Sequence, residues 1–120
     1  MSKLTKKSFK QVVLENGSIP IGTDGSLYFI ITQVNTENFP DMTEKLIKQL
    51  KDENKYNSWI GIIDCLNQGP YNMSSLPIYG DPNKYVTHHF TYSAEEAIDL
   101  ALGDRQMKLL KRANEYISNL

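Results

Sequence analysis

Three runs of apolar residues predict the strands of a sheet. SLYFIITQV, residues 26–34, and SWIGIIDCL, residues 58–66, carry apolar side chains on both of their faces. That pattern is typical of central strands that are covered on both sides. KYVTHHFTYS, residues 84–93, alternates more regularly and predicts a third strand, with Phe90 and Tyr92 on the same face.

The segment between the first two runs has the spacing of an amphipathic helix. In FPDMTEKLIKQLKDENK, residues 39–55, apolar residues recur three and four positions apart, with lysines between them. Pro40 suits the first turn, where a missing N–H costs nothing. The pattern therefore predicts a helix over about residues 40–54. A helix between two apolar strands suggests a crossover that leaves the strands parallel, although an antiparallel pair also fits.

The C-terminal part of the chain predicts a long helix over about residues 94–119. Ser93 and Glu96 form the S-x-x-E capping box that marks its start. Gly103 and Asp104 interrupt the pattern, so we expect a kink or a break, with Asp104 capping the second half. The apolar residues of that half exceed one stripe, which favours a second surface to bury: Met107, Leu109, Leu110, Ala113, Tyr116, Ile117 and Leu120.

The N-terminal patterns are weaker. Residues 5–16 fit a helix or a strand, and we interpret them as a helix that ends at Gly17. Residues 18–26 contain proline and glycine and predict a turn-rich link. Together the elements predict a two-layer α+β domain, whose sheet of three to five strands is covered by the helix at 40–54 and the C-terminal helix.

Length and charge narrow the class of protein. The 120 residues make one domain. A net charge of −1 argues against a dedicated nucleic-acid binder, which carries a visible basic excess. A charge so near zero also gives little protection against association, so we expect a homodimer or a higher oligomer.

Cysteine and hydropathy patterns favour the cytoplasm. The single cysteine, Cys65, excludes an intramolecular disulfide and fits a reducing compartment. No apolar run approaches the roughly 18 residues of a membrane span, and no signal peptide pattern follows the basic N-terminus. Cys65, His88 and His89 lack the spacing of a zinc site, so we expect neither a metal nor a cofactor.

One histidine and one aspartate raise the possibility of catalysis. Asp64 shares a face of its predicted strand with Ile60 and Ile62, and His88 shares the apolar face of the next predicted strand. If those faces meet, Asp64 and His88 have the arrangement that orients a general base. The same pair could equally be a structural hydrogen bond, and no nucleophile is marked by its context.

A basic helix face is a candidate binding site. Arg105, Lys108 and Arg112 recur at i, i+3 and i+7, which puts three cations on one side of the predicted C-terminal helix. Such a face can hold a phosphate or a carboxylate, and arginine does so bidentately. The alternative is a solvated face, in which Asp104 and Glu115 neutralise the cations.

The segment NQGPYNMSSLPIYGDPNK, residues 67–84, has no secondary-structure period. Loops above about 12–15 residues are uncommon in compact domains and are often functional. Tyr71 and Tyr79 are its candidate contact residues, because aromatic side chains anchor interfaces and stack on planar ligands. His89, on the strand face opposite His88, is a further candidate contact residue. The alternative is a connection packed by its own side chains.

These patterns favour a non-enzymatic binding or regulatory module. It would contact a partner protein or capture a small anionic, nucleotide-like ligand through loop 67–84 and the basic helix face. The alternative function is a small hydrolase or lyase that uses Asp64 and His88, with the basic face holding an anionic substrate. We prefer the binding module, because a catalytic site normally needs more than one candidate base.

Overall fold

A computed structural model describes residues 4–65, 70–71, 87, 89–103 and 107–120. Within these ranges the elements follow in the order α1 Lys6–Asn16, β1 Ser18–Ile21, β2 Leu27–Gln33, α2 Glu44–Asp52, β3 Trp59–Asp64, α3 Ala94–Ala101 and α4 Met107–Ser118. Helices combined with a small open sheet confirm the predicted α+β class. The predictions of two layers and of a kink at Gly103 stay predictions.

The sheet is antiparallel, with the strand order β1-β2-β3. The suggestion of parallel strands around the helix at 40–54 is therefore wrong. The reason lies in the connection, which leaves and re-enters the sheet at one end: the Val34 N–H donates to the Ser58 carbonyl at 2.9 Å, and the Asn57 N–H donates to the Val34 carbonyl at 2.8 Å. A crossover to a parallel strand would have to return to the opposite end.

The strand register assigns the side chains of β2 to two opposite faces. Phe29 lies opposite Ile19 of β1 and Ile63 of β3, whereas Ile30 lies opposite Ile62. Because successive side chains of a strand alternate, Phe29 and Ile30 point to different sides. The four central residues of β2 are all buried, which confirms the predicted cover on both sides.

The buried apolar residues form two clusters on these two faces. The first cluster joins α1, α3 and α4 to β1 and β2: Phe9, Val13, Ile19, Ile21, Phe29, Ile31, Ala97, Ile98, Ala101, Leu102, Leu109, Leu110 and Ala113. The second cluster joins α2 and its flanking loops to β2 and β3: Ile30, Val34, Phe39, Met42, Leu46, Leu50, Ile60, Ile62 and Tyr71. The sheet therefore contributes residues to both clusters, one on each of its faces.

Side-chain caps explain where the first helices begin. Thr5 and Ser8 form a reciprocal capping box at α1, and Gly17 ends this helix with φ 77°, so the helical interpretation of residues 5–16 is confirmed. Helix α2 begins after Thr43, whose Oγ1 accepts the Leu46 N–H at 3.2 Å. The start predicted at Pro40 is wrong, because Thr43 supplies an oxygen to the free N–H groups of the first turn and proline cannot.

Strand β1 occupies part of the segment that was predicted as a link. Among the residues described, β1 pairs with β2 alone, and Pro20 of β1 lies opposite Tyr28. A proline has no N–H to donate to a ladder, so it is tolerated in a strand at the edge of a sheet. The composition of this segment favoured a turn. Residues 18–21 form a strand instead because they pair with β2.

The predicted helix at 94–119 consists of two helices, α3 and α4. The capping box at the start of α3 is confirmed, since Ser93 Oγ accepts the Glu96 N–H at 3.0 Å. The predicted cap at Asp104 lies outside the residues that the structure describes. The central apolar residues of α4 (Leu109, Leu110 and Ala113) are buried within this chain. They therefore give no support to a second buried surface, whereas Leu120 remains 70% exposed.

Helix α4 is tied to the N-terminal part of the chain. The Leu4 N–H donates to Asn114 Oδ1 at 2.7 Å, and the Asn114 amide returns a hydrogen bond to the Leu4 carbonyl at 3.4 Å. The Gly22 N–H donates to the Arg112 carbonyl at 2.9 Å. These bonds hold α4 beside α1 and β1.

The predicted third strand is broken where it is described. Thr91 and Trp59 exchange two backbone hydrogen bonds, at 2.9 and 3.0 Å, in an isolated antiparallel bridge. Phe90 has φ 65°, which a strand cannot accommodate. Residues 84–86 and 88 of this prediction lie outside the described part of the chain.

Candidate functional site

The structure describes five of the eight predicted site residues. Tyr79, His88 and Arg105 lie outside its ranges. The other five are Asp64, Tyr71, His89, Lys108 and Arg112, and they fall on four parts of the fold: the end of β3, the stretch 70–71 beyond it, the segment before α3, and helix α4. Whether Asp64 meets His88 is therefore untested.

Asp64 ends strand β3 on the face that the sequence predicted. It lies opposite Tyr28, on the same side of the sheet as Ile60 and Ile62. Tyr71 belongs to the cluster on this face, where its ring centroid lies 5.7 Å from that of Phe39. The Tyr71 ring is only 5% exposed, so most of its surface serves packing rather than the predicted contact.

Burial changes the acidity of the Tyr71 phenol. Loss of water around the hydroxyl, together with the negative charge of Asp64, raises the pKa of Tyr71 to about 12. A phenol with so high a pKa keeps its proton at neutral pH. It can donate a hydrogen bond there but cannot act as a base.

We expect the free energy of unfolding to fall by about 2 kcal/mol as the pH rises from about 10 to about 12. The folded protein holds the Tyr71 proton up to a pKa of about 12, whereas the unfolded chain releases it near pH 10. The contribution of Tyr71 to the free energy of unfolding is complete below the pKa that Tyr71 has in the unfolded chain. It is lost as the pH rises through the pKa that Tyr71 has in the folded protein. Urea unfolding of the wild type and of Tyr71→Phe at both ends of this window would measure it. An equal loss in both proteins would contradict the assignment.

The predicted basic face is present in part. Lys108 and Arg112 are exposed one turn apart on α4, and Arg112 is held in place through its backbone carbonyl. Neither side chain forms an ion pair with a carboxylate in the described ranges. Two cations on an anchored helix can attract an anion, and Arg105 would have to complete the predicted set of three.

His89 lies at a surface cleft that the sequence did not indicate. This cleft, here called the His89 cleft, has a volume of about 400 Å³ and is lined by Glu53, Asn54, Lys55, His89, Phe90 and Tyr92. Two segments build it, the loop between α2 and β3 and the segment that leads into α3. Because these segments are distant in sequence, no local pattern could have joined them.

Aromatic rings and one ammonium group dominate the His89 cleft. Lys55 Nζ lies 5.0 Å from the centroid of the Phe90 ring and 3.6 Å from Glu53 Oε1. The His89 and Phe90 rings are 5.5 Å apart, and Tyr92 is 83% exposed. The prediction that Tyr92 shares an inward strand face with Phe90 is wrong, because the left-handed turn at Phe90 ends the alternation.

The backbone around the His89 cleft adopts an unfavourable conformation. Asn54 and Asn57 have φ 61° and 68°, which asparagine tolerates. Phe90 has φ 65°, which costs a bulky L-residue about 1–2 kcal/mol. The bridge between Thr91 and Trp59 and the Ser93 cap on the following residues hold the chain there. Such strain is concentrated at binding and active sites, so Phe90 is a candidate functional residue.

The cleft has a chemically mixed lining. It offers aromatic faces, an amide and one charge of each sign, which match the mixed composition of protein interfaces. In the described ranges no group of three or more His, Cys, Asp or Glu residues could hold a metal ion. No helix among the residues described is long and apolar enough to cross a membrane.

No protein-family model matches this chain, and no solved structure matches it. Any conclusion about function therefore depends on the geometry of its own residues.

Proposed function

We propose that the protein is a non-enzymatic binding module that contacts a partner protein through the His89 cleft. The observation that carries this proposal is the exposure of Tyr92, of which 83% is accessible to solvent. A large aromatic side chain left in water gains much from burial, and tyrosine is among the residues that dominate interface energies.

The surroundings of Tyr92 support the same function. The Tyr92 N–H donates to Glu96 Oε2 at 3.3 Å, so the backbone of Tyr92 is attached to helix α3. Phe90 is held in its left-handed conformation beside Lys55. An anchor fixed before binding loses little entropy when the partner arrives, which raises affinity.

A protein partner fits this cleft better than a small anion does. Among the described residues that line the cleft, Lys55 is the one lysine, and the carboxylate of Glu53 lies 3.6 Å from the Lys55 ammonium. These two charges offset each other, so they offer a small anion no net positive charge, whereas a protein surface can place an apolar group on Phe90 and Tyr92. The second copy of a homodimer is one such partner, and self-association stays a prediction.

The other predicted contact surfaces remain part of this proposal. Loop 67–84 with Tyr79, and the face formed by Arg105, Lys108 and Arg112, are further surfaces for a partner or for a small anionic ligand. The alternative function, a hydrolase or lyase based on Asp64 and His88, also stays a prediction.

We expect Tyr92→Ala to weaken partner binding about 30-fold, the equivalent of a hot spot of about 2 kcal/mol. The purified protein would select peptides from a random display library, and the strongest peptide would be titrated by calorimetry against each variant. Phe90→Gly should also weaken binding, because glycine keeps the left-handed backbone and removes the ring.

The matched control is Leu120→Ala. Leu120 is an exposed apolar residue that does not line the cleft, so its replacement should leave the affinity unchanged. Selection of no peptide, or equal binding to wild type and Tyr92→Ala, would contradict the proposed site. Loss of binding in Leu120→Ala alone would move the interface to the end of α4.

A further inference from the structure

A second cleft, distinct from the His89 cleft, lies between the start of α1 and the end of α3. It has a volume of about 430 Å³ and is lined by Lys6, Lys7, Lys10, Asp99 and Leu102. Three of these five residues are lysines that follow closely along one helix. This cleft is here called the lysine cleft.

Lys10 is fixed in place by two carboxylates of α3. Its Nζ lies 2.7 Å from Asp99 Oδ1 and 3.0 Å from Glu95 Oε1. The hydrogen bonds to Asp99 and Glu95 raise the pKa of Lys10, so the ammonium stays charged. These contacts join α1 to α3 at the wall of the cleft and set the position of one cation.

Lys6 and Lys7 bring positive charge to an unfavourable position. They are the first two residues of α1, and this first turn contains no acidic residue. The partial positive charge at a helix N-terminus favours carboxylates there and disfavours ammonium groups. Neither lysine forms an ion pair with a carboxylate in the described ranges. Nothing described in the fold balances these two charges.

We propose that the lysine cleft binds a small soluble anion that carries phosphate groups. Lysine binds phosphate as a point charge, and the cleft places Lys6 and Lys7 beside the fixed Lys10. Asp99 and Glu95 both pair with Lys10, so the described residues at this site carry three ammonium groups and two carboxylates, an excess of one positive charge. The positive end of α1 adds to the attraction.

A soluble anion suits the shape of the site better than a membrane surface does. The lysines border a concave space of about 430 Å³, and a cleft of that size is within the range of small-ligand sites. The apolar floor, Leu102, is 6% exposed and cannot insert into a bilayer.

The test is calorimetric titration of the full chain with inorganic pyrophosphate at constant ionic strength. Wild type should show saturable binding, and Lys6→Gln/Lys7→Gln should weaken it about tenfold or more, because the substitutions remove two ammonium groups that hold the phosphates. Removing positive charge from the first turn of α1 should not unfold the protein, and thermal unfolding of the variant would verify this.

The control is Lys45→Gln/Lys48→Gln, which removes two exposed lysines from α2. Equal weakening in both double variants, or no saturable binding to wild type, would overturn the proposal. Retention of the protein by phosphatidylglycerol vesicles without pyrophosphate binding would overturn it too, since it would assign the lysines to a lipid surface. The peptide titrations of the Tyr92 variants are independent of these outcomes.

Discussion

Replacing Phe29 by alanine should lower the free energy of unfolding by about 4 kcal/mol. Phe29 is completely buried in the central strand, and its ring centroid lies 5.7 Å from that of Phe9. The substitution removes the transfer free energy of the ring and leaves a cavity in the first cluster. Urea unfolding followed by circular dichroism would measure the loss.

The same strand supplies the control for Phe29→Ala. Leu27 is 38% exposed, so Leu27→Ala should cost well under half as much. If the full loss exceeds the stability of the domain, Phe29→Leu gives a graded version that stays folded. Equal effects at the two positions would contradict the assignment of Phe29 to the core.

Replacing Gly61 by alanine should destabilise the protein by about 2 kcal/mol. Gly61 of β3 lies opposite Ile31 of β2. A Cβ atom added to Gly61 would lie 2.8 and 2.9 Å from Cε2 and Cζ of the Phe29 ring. The same methyl would lie 3.1 Å from Cγ2 of Thr87. Alanine ordinarily improves on glycine within a strand, so the sign of the effect tests the packing.

A double variant separates crowding from other causes. Phe29→Leu shortens the side chain that Gly61→Ala would strike, so the cost of Gly61→Ala should fall below about 1 kcal/mol in that background. Additive losses in the double variant would show that the two positions do not touch.

Local chemistry made part of the fold predictable. The burial of β2 on both faces follows from its apolar residues, and the start of α3 follows from Ser93 and Glu96. The strand direction did not follow, because it depends on the bonds that join Val34 to residues 57 and 58. Hydrogen bonds between residues so far apart in the sequence cannot be predicted from the hydrophobic period within one segment.

The candidate site was less predictable than the fold. The alternation of residues 84–93 placed Phe90 and Tyr92 together on an inward face, but Phe90 takes a left-handed conformation that bulky residues rarely adopt. The partner of that segment, the loop with Asn54 and Lys55, lies more than thirty residues away. Of the five predicted site residues that the structure describes, only His89 lies in this cleft.

The composition of the two clusters has a consequence for synthesis of the chain. The described buried residues of the second cluster all lie between Ile30 and Tyr71, so they can pack together while the ribosome is still making α4. The first cluster needs Phe9 together with Leu109, and the bonds between Leu4 and Asn114 close it. The first cluster is therefore complete only after α4 has been made, and until then its apolar residues are a target for chaperones.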